Sequence, residues 1–404
     1  MKINAVKIAI FSDNFYPELS GISDSVITLS KELVSRGHSV RFYVPYYSPK
    51  DYGIAQLEPR ELDLGNNITI TRFSSIPFTS AGSTGQTRFV IPTGLRCLSF
   101  IRNRPDIIHT QQMYGAGIEA VAAAKYLKIP IVGTNHTALR EFLSFSPIKA
   151  KWFKKWSLGY ESWYYNQCEF VSAPSQSVFD DMEQNGFYRP HSVVSNPIDT
   201  EIFRAGSDSE RAEVKAANGF SEKTVFYAGR LGPEKNVDVI IKAMALVNKE
   251  IPEVCLAIAG HGTSRGALKA MADEMSIGKS VKFLGTLDKP SLAKIYNASE
   301  VFAITSTSET QSLTLMQAMA CGLPVVGVRA KALPEYINVE NGFIVEPGDY
   351  EGLAEKIVFL LKNSKQRELL GRGALEHSRK YSASRITDEW ERIYRETLGN
   401  KRHI

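Results

Sequence analysis

A carboxylate, Glu309, stands just after an apolar run, VFAITS, and just ahead of LTLMQAMA, a stretch of helical character that Gly322 and Pro324 stop before the next apolar run, PVVGV. Strand, loop and helix N-terminus in that order are a common ligand-site geometry. The first amides of the helix, from Ser312 and Leu313, lack partners within it and point at an incoming anion, and Glu309 can accept hydrogen bonds from neutral hydroxyls beside them. A phosphate next to a polyol fits a nucleotide sugar. An acid before a helix is also an ordinary cap, so this segment alone leaves both readings open.

The segment VFYAGRLGPEKNVDVIIKAM adds two cations. Arg230 ends an apolar strand, Leu231, Gly232 and Pro233 make a tight turn, and Lys235 precedes a helix expected to begin near Asn236. Arg and Lys five residues apart on such a turn make a compact diphosphate clamp, Arg forking across two oxygens and Lys acting as a point charge. The alternative is a pair of solvated surface cations, but the strand-to-helix turn of an α/β pattern is where phosphates are bound.

The elements that position these residues alternate strand with helix in two successive runs. The first holds strands near VKIAIFS, VRFYVP, ITITRF, DIIHTQ, IPIVGT and FVSAPS, and the second restarts at TVFYAG and continues through VCLAIAG, VKFLGT, VFAITS, PVVGV and GFIVE. The polar, turn-rich segment SNPIDTEIFRAGSDSERAEVKAANGF reads as the crossing between them. SASRITDEWERIYRETL is a last helical pattern after the second sheet is complete. No internal repeat or low-complexity tract interrupts the chain.

Composition fits an enzyme of this size. The 404 residues, 43% hydrophobic, allow two or three domains, each with its own core. Cys97, Cys168, Cys255 and Cys321 are scattered without metal-ligand spacing, which predicts a reduced, cytosolic protein. The start MKINAVKIAIFSD leads into a strand and lacks the long apolar core of a signal peptide, and no stretch of spanning length is free of charge. A net charge of +5 favours acidic ligands or surfaces without calling for nucleic acid.

In this order, FSDNFYPELSGISDSV, RPDIIHTQ, GTNHT, APSQSVFDDM, VVSNPIDTEIF, AGRLGPEKN, AGHGTSRGAL, the Glu309 segment and NGFIVEPGD resemble the retaining family-4 glycosyltransferases over nearly the whole chain. The resemblance implies an α/β protein of GT-B fold, two Rossmann-like domains facing across a cleft. It assigns 1–198 to an acceptor-binding domain, 199–381 to a nucleotide-sugar domain and 382–404 to a helix that returns to the first domain.

It also implies roles. Glu309 would hold sugar hydroxyls, Arg230 and Lys235 the diphosphate, and His136, after the strand IPIVGT, the donor sugar. Gly21 matches a loop where the family usually has paired glycines, with Ser20 in place of the first, and allows a backbone close to phosphate or acceptor. It is equally a simple turn residue. Gly260 and Gly262, flanking His261, match a turn near the nucleotide. Asn196 and Asp199 read as hinge or cap residues, and Glu335 as either a wall of the donor pocket or a cap.

Gln317 departs from the pattern, which has a second Glu there for the ribose hydroxyls. Gln accepts one hydrogen bond where a carboxylate accepts two charge-assisted ones, a loss on the order of 1 kcal/mol of donor binding. A polar helix residue facing water is the alternative. No Asp-x-Asp occurs, so no metal is expected at the diphosphate, and the clamp cations with the helix amides would carry the leaving-group charge. No further carboxylate presents itself for the double displacement of glycosidases. The resemblance implies front-face attack instead, with a donor phosphate oxygen taking the acceptor's proton.

SPIKAKWFKKWSLGYESWYYNQCEF speaks to the acceptor. At helical spacing Ile148, Trp152, Trp156, Tyr160 and Trp163 form one apolar stripe, and Lys149, Lys151, Lys154 and Lys155 crowd nearby. Such a face suits an anionic membrane surface; a core-facing helix with solvated lysines is the alternative. This stretch and SETQSL resemble diacylglycerol glucosyltransferases. The expectation is a hexosyltransferase on the cytoplasmic membrane face, using UDP-glucose and a glycerolipid. The alternatives are a GDP-mannose-dependent enzyme acting on phosphatidylinositol or a polysaccharide precursor, and a catalytically inert sugar-nucleotide binding protein.

Overall fold

The computed structural model describes residues 5–18, 20–54, 57–78, 87–94, 100, 103–145 and 148–400. Cys97, and Ser146 and Pro147 at the start of the aromatic stretch, lie outside the described residues. The chain divides into two compact units, one of Met1–Pro197 with Ala383–Ile404 and one of Ile198–Ser382.

In the first unit the strands are β1 (Lys7–Phe11), β2 (Ser39–Pro45), β3 (Ile68–Phe73), the short pair β4 (Ser75–Pro77) and β5 (Arg88–Val90), β6 (Ile107–Thr110), β7 (Ile131–Thr134), β8 (Phe170–Ala173) and β9 (His191–Val193). Seven of them form one parallel sheet in the order β3-β2-β1-β6-β7-β8-β9, while β4 and β5 pair antiparallel by themselves. The helix Ala383–Asn400 belongs to this unit by packing. Ile386, Trp390, Ile393 and Tyr394 join a core with Val26, Leu29 and Leu33 of the helix Gly21–Ser35. The Trp390 indole lies 4.1 Å from the His109 ring, and the Tyr394 hydroxyl is 2.8 Å from His109 Nδ1.

The second unit holds β10 (Thr224–Ala228), β11 (Cys255–Ala259), β12 (Val281–Gly285), β13 (Val301–Ile304), β14 (Val325–Val328) and β15 (Gly342–Val345), all parallel in the order β12-β11-β10-β13-β14-β15. Every residue of β10, β11, β13 and β14 is buried, which is why these strands read as continuous apolar runs rather than alternating ones. In both sheets the strand order reverses beside the first strand, at β1/β6 and at β10/β13. The connections there leave in opposite directions and open a crevice outside the carboxyl ends of the strands.

Some elements went unread in the sequence. The strand β9 and the pair β4–β5 are three-residue edge segments, too short to show a period. The polar segment taken as a plain crossing contains a helix, Asp208–Asn218, opened by a reciprocal capping box between Ser207 and Glu210 and closed by Gly219 at φ +62°. Its buried anchor is Lys215, paired with Glu300 at 2.9 Å, so no apolar stripe announces it.

Candidate active site

At the switch point of the second sheet the turn after β10 and the loop after β13 are stitched together. Thr305 Oγ1 donates to the carbonyls of Lys235 (3.1 Å) and Asn236 (2.8 Å), and Asn236 Nδ2 reaches Thr307 Oγ1 at 3.2 Å. This brings Lys235 Nζ to 2.7 Å from Glu309 Oε1, with both side chains mostly buried. Arg230, on the same turn, places Nη2 2.5 Å from Glu234 Oε1. Each clamp cation is thus held against an acid, and the acids differ in origin. Glu309 comes from the loop after β13, whereas Glu234 sits inside the clamp turn itself.

The helix that follows Glu309, Leu313–Ala320, is capped by Ser312, whose Oγ accepts the Leu315 amide at 3.3 Å. Its first amides, at the buried residues Ser312 and Leu313, lie at the end of the helix where its dipole favours a negative group. Gln317 does not face water. It is 5% exposed, and its Oε1 lies 3.4 Å from the Tyr296 hydroxyl, which also donates to the Thr314 carbonyl at 2.8 Å. The water-facing alternative fails because this short helix is buried on nearly every side.

Gly260 and Gly262 are demanded by backbone packing. A Cβ at Gly260, where φ is +137°, would collide with the Gly229 carbonyl, and one at Gly262 with the Leu231 carbonyl. The close approach lets Leu231 N–H bond the His261 carbonyl at 2.9 Å and Ser264 N–H bond the Leu231 carbonyl at 2.9 Å, so this turn buttresses the clamp turn.

In the first unit, polar side chains gather at the carboxyl ends of β1, β6 and β7. His136 is buried, with Nε2 2.8 Å from Gln111 Oε1, and burial pushes its pKa down to about 4, so the ring is neutral at physiological pH. The adjacent Asn135 donates through Nδ2 to Glu161 Oε1 at 2.9 Å. Burial raises Glu161 to about 8 and Asp13 to about 7, although Asp13 Oδ1 accepts the Ala116 amide at 2.8 Å. Gly21 is the first residue of the helix Gly21–Ser35. Ser20, in the place of the usual first glycine, is its N-cap, accepting the Ser23 amide at 3.2 Å. Asn196 bonds Ser25 Oγ at 2.8 Å, and Asp199 Oδ1 accepts the amides of Glu201 and Ile202, both structural roles. Glu335 lies exposed in the one-turn helix Leu333–Tyr336.

The aromatic stretch forms the helix Lys151–Tyr165. Leu158, Glu161, Ser162, Tyr164 and Tyr165 face inward, whereas Trp152, Trp156 and Trp163 are 72%, 61% and 53% exposed. Tyr160 stacks on Trp156 and lies tilted against Trp163, 5.7 Å from each, and ties the helix down through its hydroxyl to the Met113 carbonyl. With Gly159 leaving space beside them, these rings and Lys155 line an open groove of about 760 Å³. The core-facing alternative therefore fails for the tryptophans.

Residues 19–202 match the domain described as Glycosyltransferase Family 4, and residues 209–377 the domain described as Glycosyl transferases group 1, so the two matches take up most of the chain. The chain belongs to the family-4 glycosyltransferases. This hexosyltransferase is 29% identical to an alpha-monoglucosyldiacylglycerol synthase of Streptococcus pneumoniae, over 80% of this chain and 70% of that one. It is 30% identical to a sulfoquinovosyl transferase of Arabidopsis thaliana, over 69% of this chain but only 54% of the relative's length. Among solved structures, the Anabaena protein HepE in complex with UDP and glucose superposes with a TM-score of 0.75 at 21% identity, over 96% of this chain and 99% of that one. That likeness establishes the GT-B fold.

Sequence reasoning on this glycosyltransferase missed Glu234, Asp13 and Glu161. Glu234 was visible as the one acid between the two clamp cations. Asp13 follows an apolar strand at a switch point, the position that the same rule would select. Glu161 lies a step off the aromatic stripe, on the helix face that turns inward.

Proposed function

We propose that this glycosyltransferase moves a hexose, with retention at the anomeric carbon, from a nucleotide sugar such as UDP-glucose to a membrane glycerolipid such as diacylglycerol, at an anionic membrane surface on the cytoplasmic side. The observation that carries the lipid acceptor is the helix Lys151–Tyr165, which keeps three tryptophans in solvent beside Lys151, Lys154 and Lys155. Three exposed indoles on one face are costly in water and suit the interfacial zone of a bilayer, where lysine stems lie along the apolar surface and their ammonium groups meet lipid phosphates. Among the described residues no helix is long and apolar enough to cross a membrane, in keeping with a peripheral contact. The name of the Streptococcus pneumoniae relative, an alpha-monoglucosyldiacylglycerol synthase, supports the same acceptor class, and the UDP and glucose in the Anabaena structure support the donor.

In this reading Arg230 and Lys235 hold the diphosphate and take up the charge that grows on it as the anomeric C–O bond breaks, assisted by the amides of Ser312 and Leu313. Glu309 accepts hydrogen bonds from sugar hydroxyls, and His136, neutral at working pH, contributes a neutral donor or acceptor. Gly21 gives the acceptor or phosphate room beside the backbone, Gly260 and Gly262 brace the clamp turn, and Gln317 approaches the ribose. The acceptor hydroxyl attacks from the leaving-group side, its oxygen bonds to the anomeric carbon, and its proton passes to the departing phosphate oxygen. No metal takes part.

Vesicle sedimentation tests the membrane contact. Each lysine near an anionic surface contributes about 1 kcal/mol, a term screened over roughly 8 Å at physiological salt. Binding is expected to rise with anionic lipid content and fall with salt, and Lys151→Ser, Lys154→Ser and Lys155→Ser combined to remove the salt-sensitive part while donor hydrolysis continues. Absence of binding at low salt would overturn the lipid acceptor and favour a soluble one.

A further inference from the structure

We propose that Glu234 is a positioning residue for the donor diphosphate, acting through Arg230; the proposal rests on reading Arg230 as a phosphate ligand. The pair is asymmetric. The Arg230 side chain is 40% exposed and the Glu234 side chain 11%, so the carboxylate is the buried partner and the guanidinium the solvent-facing one. The turn is built around that carboxylate. Gly232 has an ordinary negative φ of −103°, yet a Cβ there would land on both Glu234 carboxylate oxygens. The space that a side chain at 232 would occupy is filled by the acid.

At the other end of the same residue, the buried Tyr227 hydroxyl donates to the Arg230 carbonyl at 3.0 Å. The backbone of Arg230 is thus fixed by Tyr227 and its guanidinium by Glu234 before any ligand arrives. A long, flexible side chain ordered in advance loses less freedom on binding a phosphate, and a planar fork is useful only when it is aimed. A pair with one partner this exposed adds little to folding stability. The burial of the acid under the clamp is better explained by what it does for the arginine.

The test is a double-mutant cycle read by calorimetry with UDP and with uridine, alongside KM and kcat for donor hydrolysis and the melting temperature of each variant. Glu234→Ala is expected to weaken UDP binding roughly tenfold, the scale of one charge-assisted contact, to leave uridine unaffected, and to raise KM more than it lowers kcat. Glu234→Gln, which keeps an acceptor under the guanidinium, restores most of the affinity. Gly232→Ala, which displaces the carboxylate and leaves Glu234 in the chain, reproduces the Glu234→Ala signature even if that variant folds poorly. In an Arg230→Ala background Glu234→Ala costs nothing further. An undiminished loss in that background, or an equal loss for uridine, would overturn the proposal. If Arg230→Ala by itself leaves UDP binding unchanged, the diphosphate clamp is wrong and this proposal falls with it.

Discussion

Removing the negative charge at Glu309 is expected to tighten the binding of UDP while it destroys transfer. The carboxylate stands 2.7 Å from Lys235 Nζ, with side-chain exposures of 13% for Glu309 and 18% for Lys235. A charge-assisted hydrogen bond of this kind contributes about 1.5 to 3 kcal/mol, and a diphosphate that takes up Lys235 must break or share it. In Glu309→Gln the uncharged amide oxygen keeps a weaker bond from the Lys235 ammonium, so about half of that cost disappears, together with the repulsion between the carboxylate and the incoming anion. The net gain is on the order of 1 kcal/mol, several-fold in UDP affinity, with uridine unchanged. Transfer falls by orders of magnitude, because no carboxylate remains to hold the sugar hydroxyls. Calorimetry on Glu309→Gln, and on the same change in a Lys235→Ala background where the gain shrinks, measures the first part, and turnover measures the second. A folded Glu309→Gln protein that binds UDP no better than the unaltered one would refute the exchange of Lys235 between acid and phosphate; near-normal turnover would remove Glu309 from the site.

Gln317→Glu restores the carboxylate usual in the family but buries it at a position whose present side-chain oxygen lies 3.4 Å from the Tyr296 hydroxyl. The melting temperature without ligand is expected to fall, and the rise on adding UDP to exceed that of the unaltered protein; an equal rise with a deoxyribose analogue would show that position 317 does not read the ribose. Glu161 has its pKa raised by burial to about 8, so the fold favours its protonated form. Its unfolded value is near 4.3. Its contribution is therefore fully present below the unfolded value and is lost as pH rises through 8. Glu161→Gln, which keeps the acceptor for Asn135, is expected to raise the melting temperature at pH 8.5 and change it little at pH 5; a shift independent of pH would contradict a protonated Glu161.

Much of this protein is legible without coordinates because buried parallel strands must be apolar throughout. The runs IAIF, IVGT, VFYA, CLAIA, VFAI and VVGV each named a strand, and the residues past the ends of three of them named His136, Arg230, Lys235 and Glu309 as candidates. What periodicity could not show is structure whose anchor is polar or whose length is too small. Lys215 pins its helix by ion pairs, and three-residue β9 closes an edge of the first sheet.

The chemistry divides in the same way. Residue type and order set which cations and acids lie at the ends of strands, since that depends on local hydrogen bonding and on where the chain turns. Which acid meets which cation was decided only by the tertiary structure. Glu309 is far from Lys235 in the chain, and they meet because β10 and β13 are neighbours in the sheet and Thr305 ties their loops together. The aromatic helix shows the same limit. Its spacing defined an apolar stripe, but only folding decided that Leu158, Tyr164 and Tyr165 would fill the core and leave Trp152, Trp156 and Trp163 outside, because a helix has one inward face and Glu161, bonded to Asn135, already turns it.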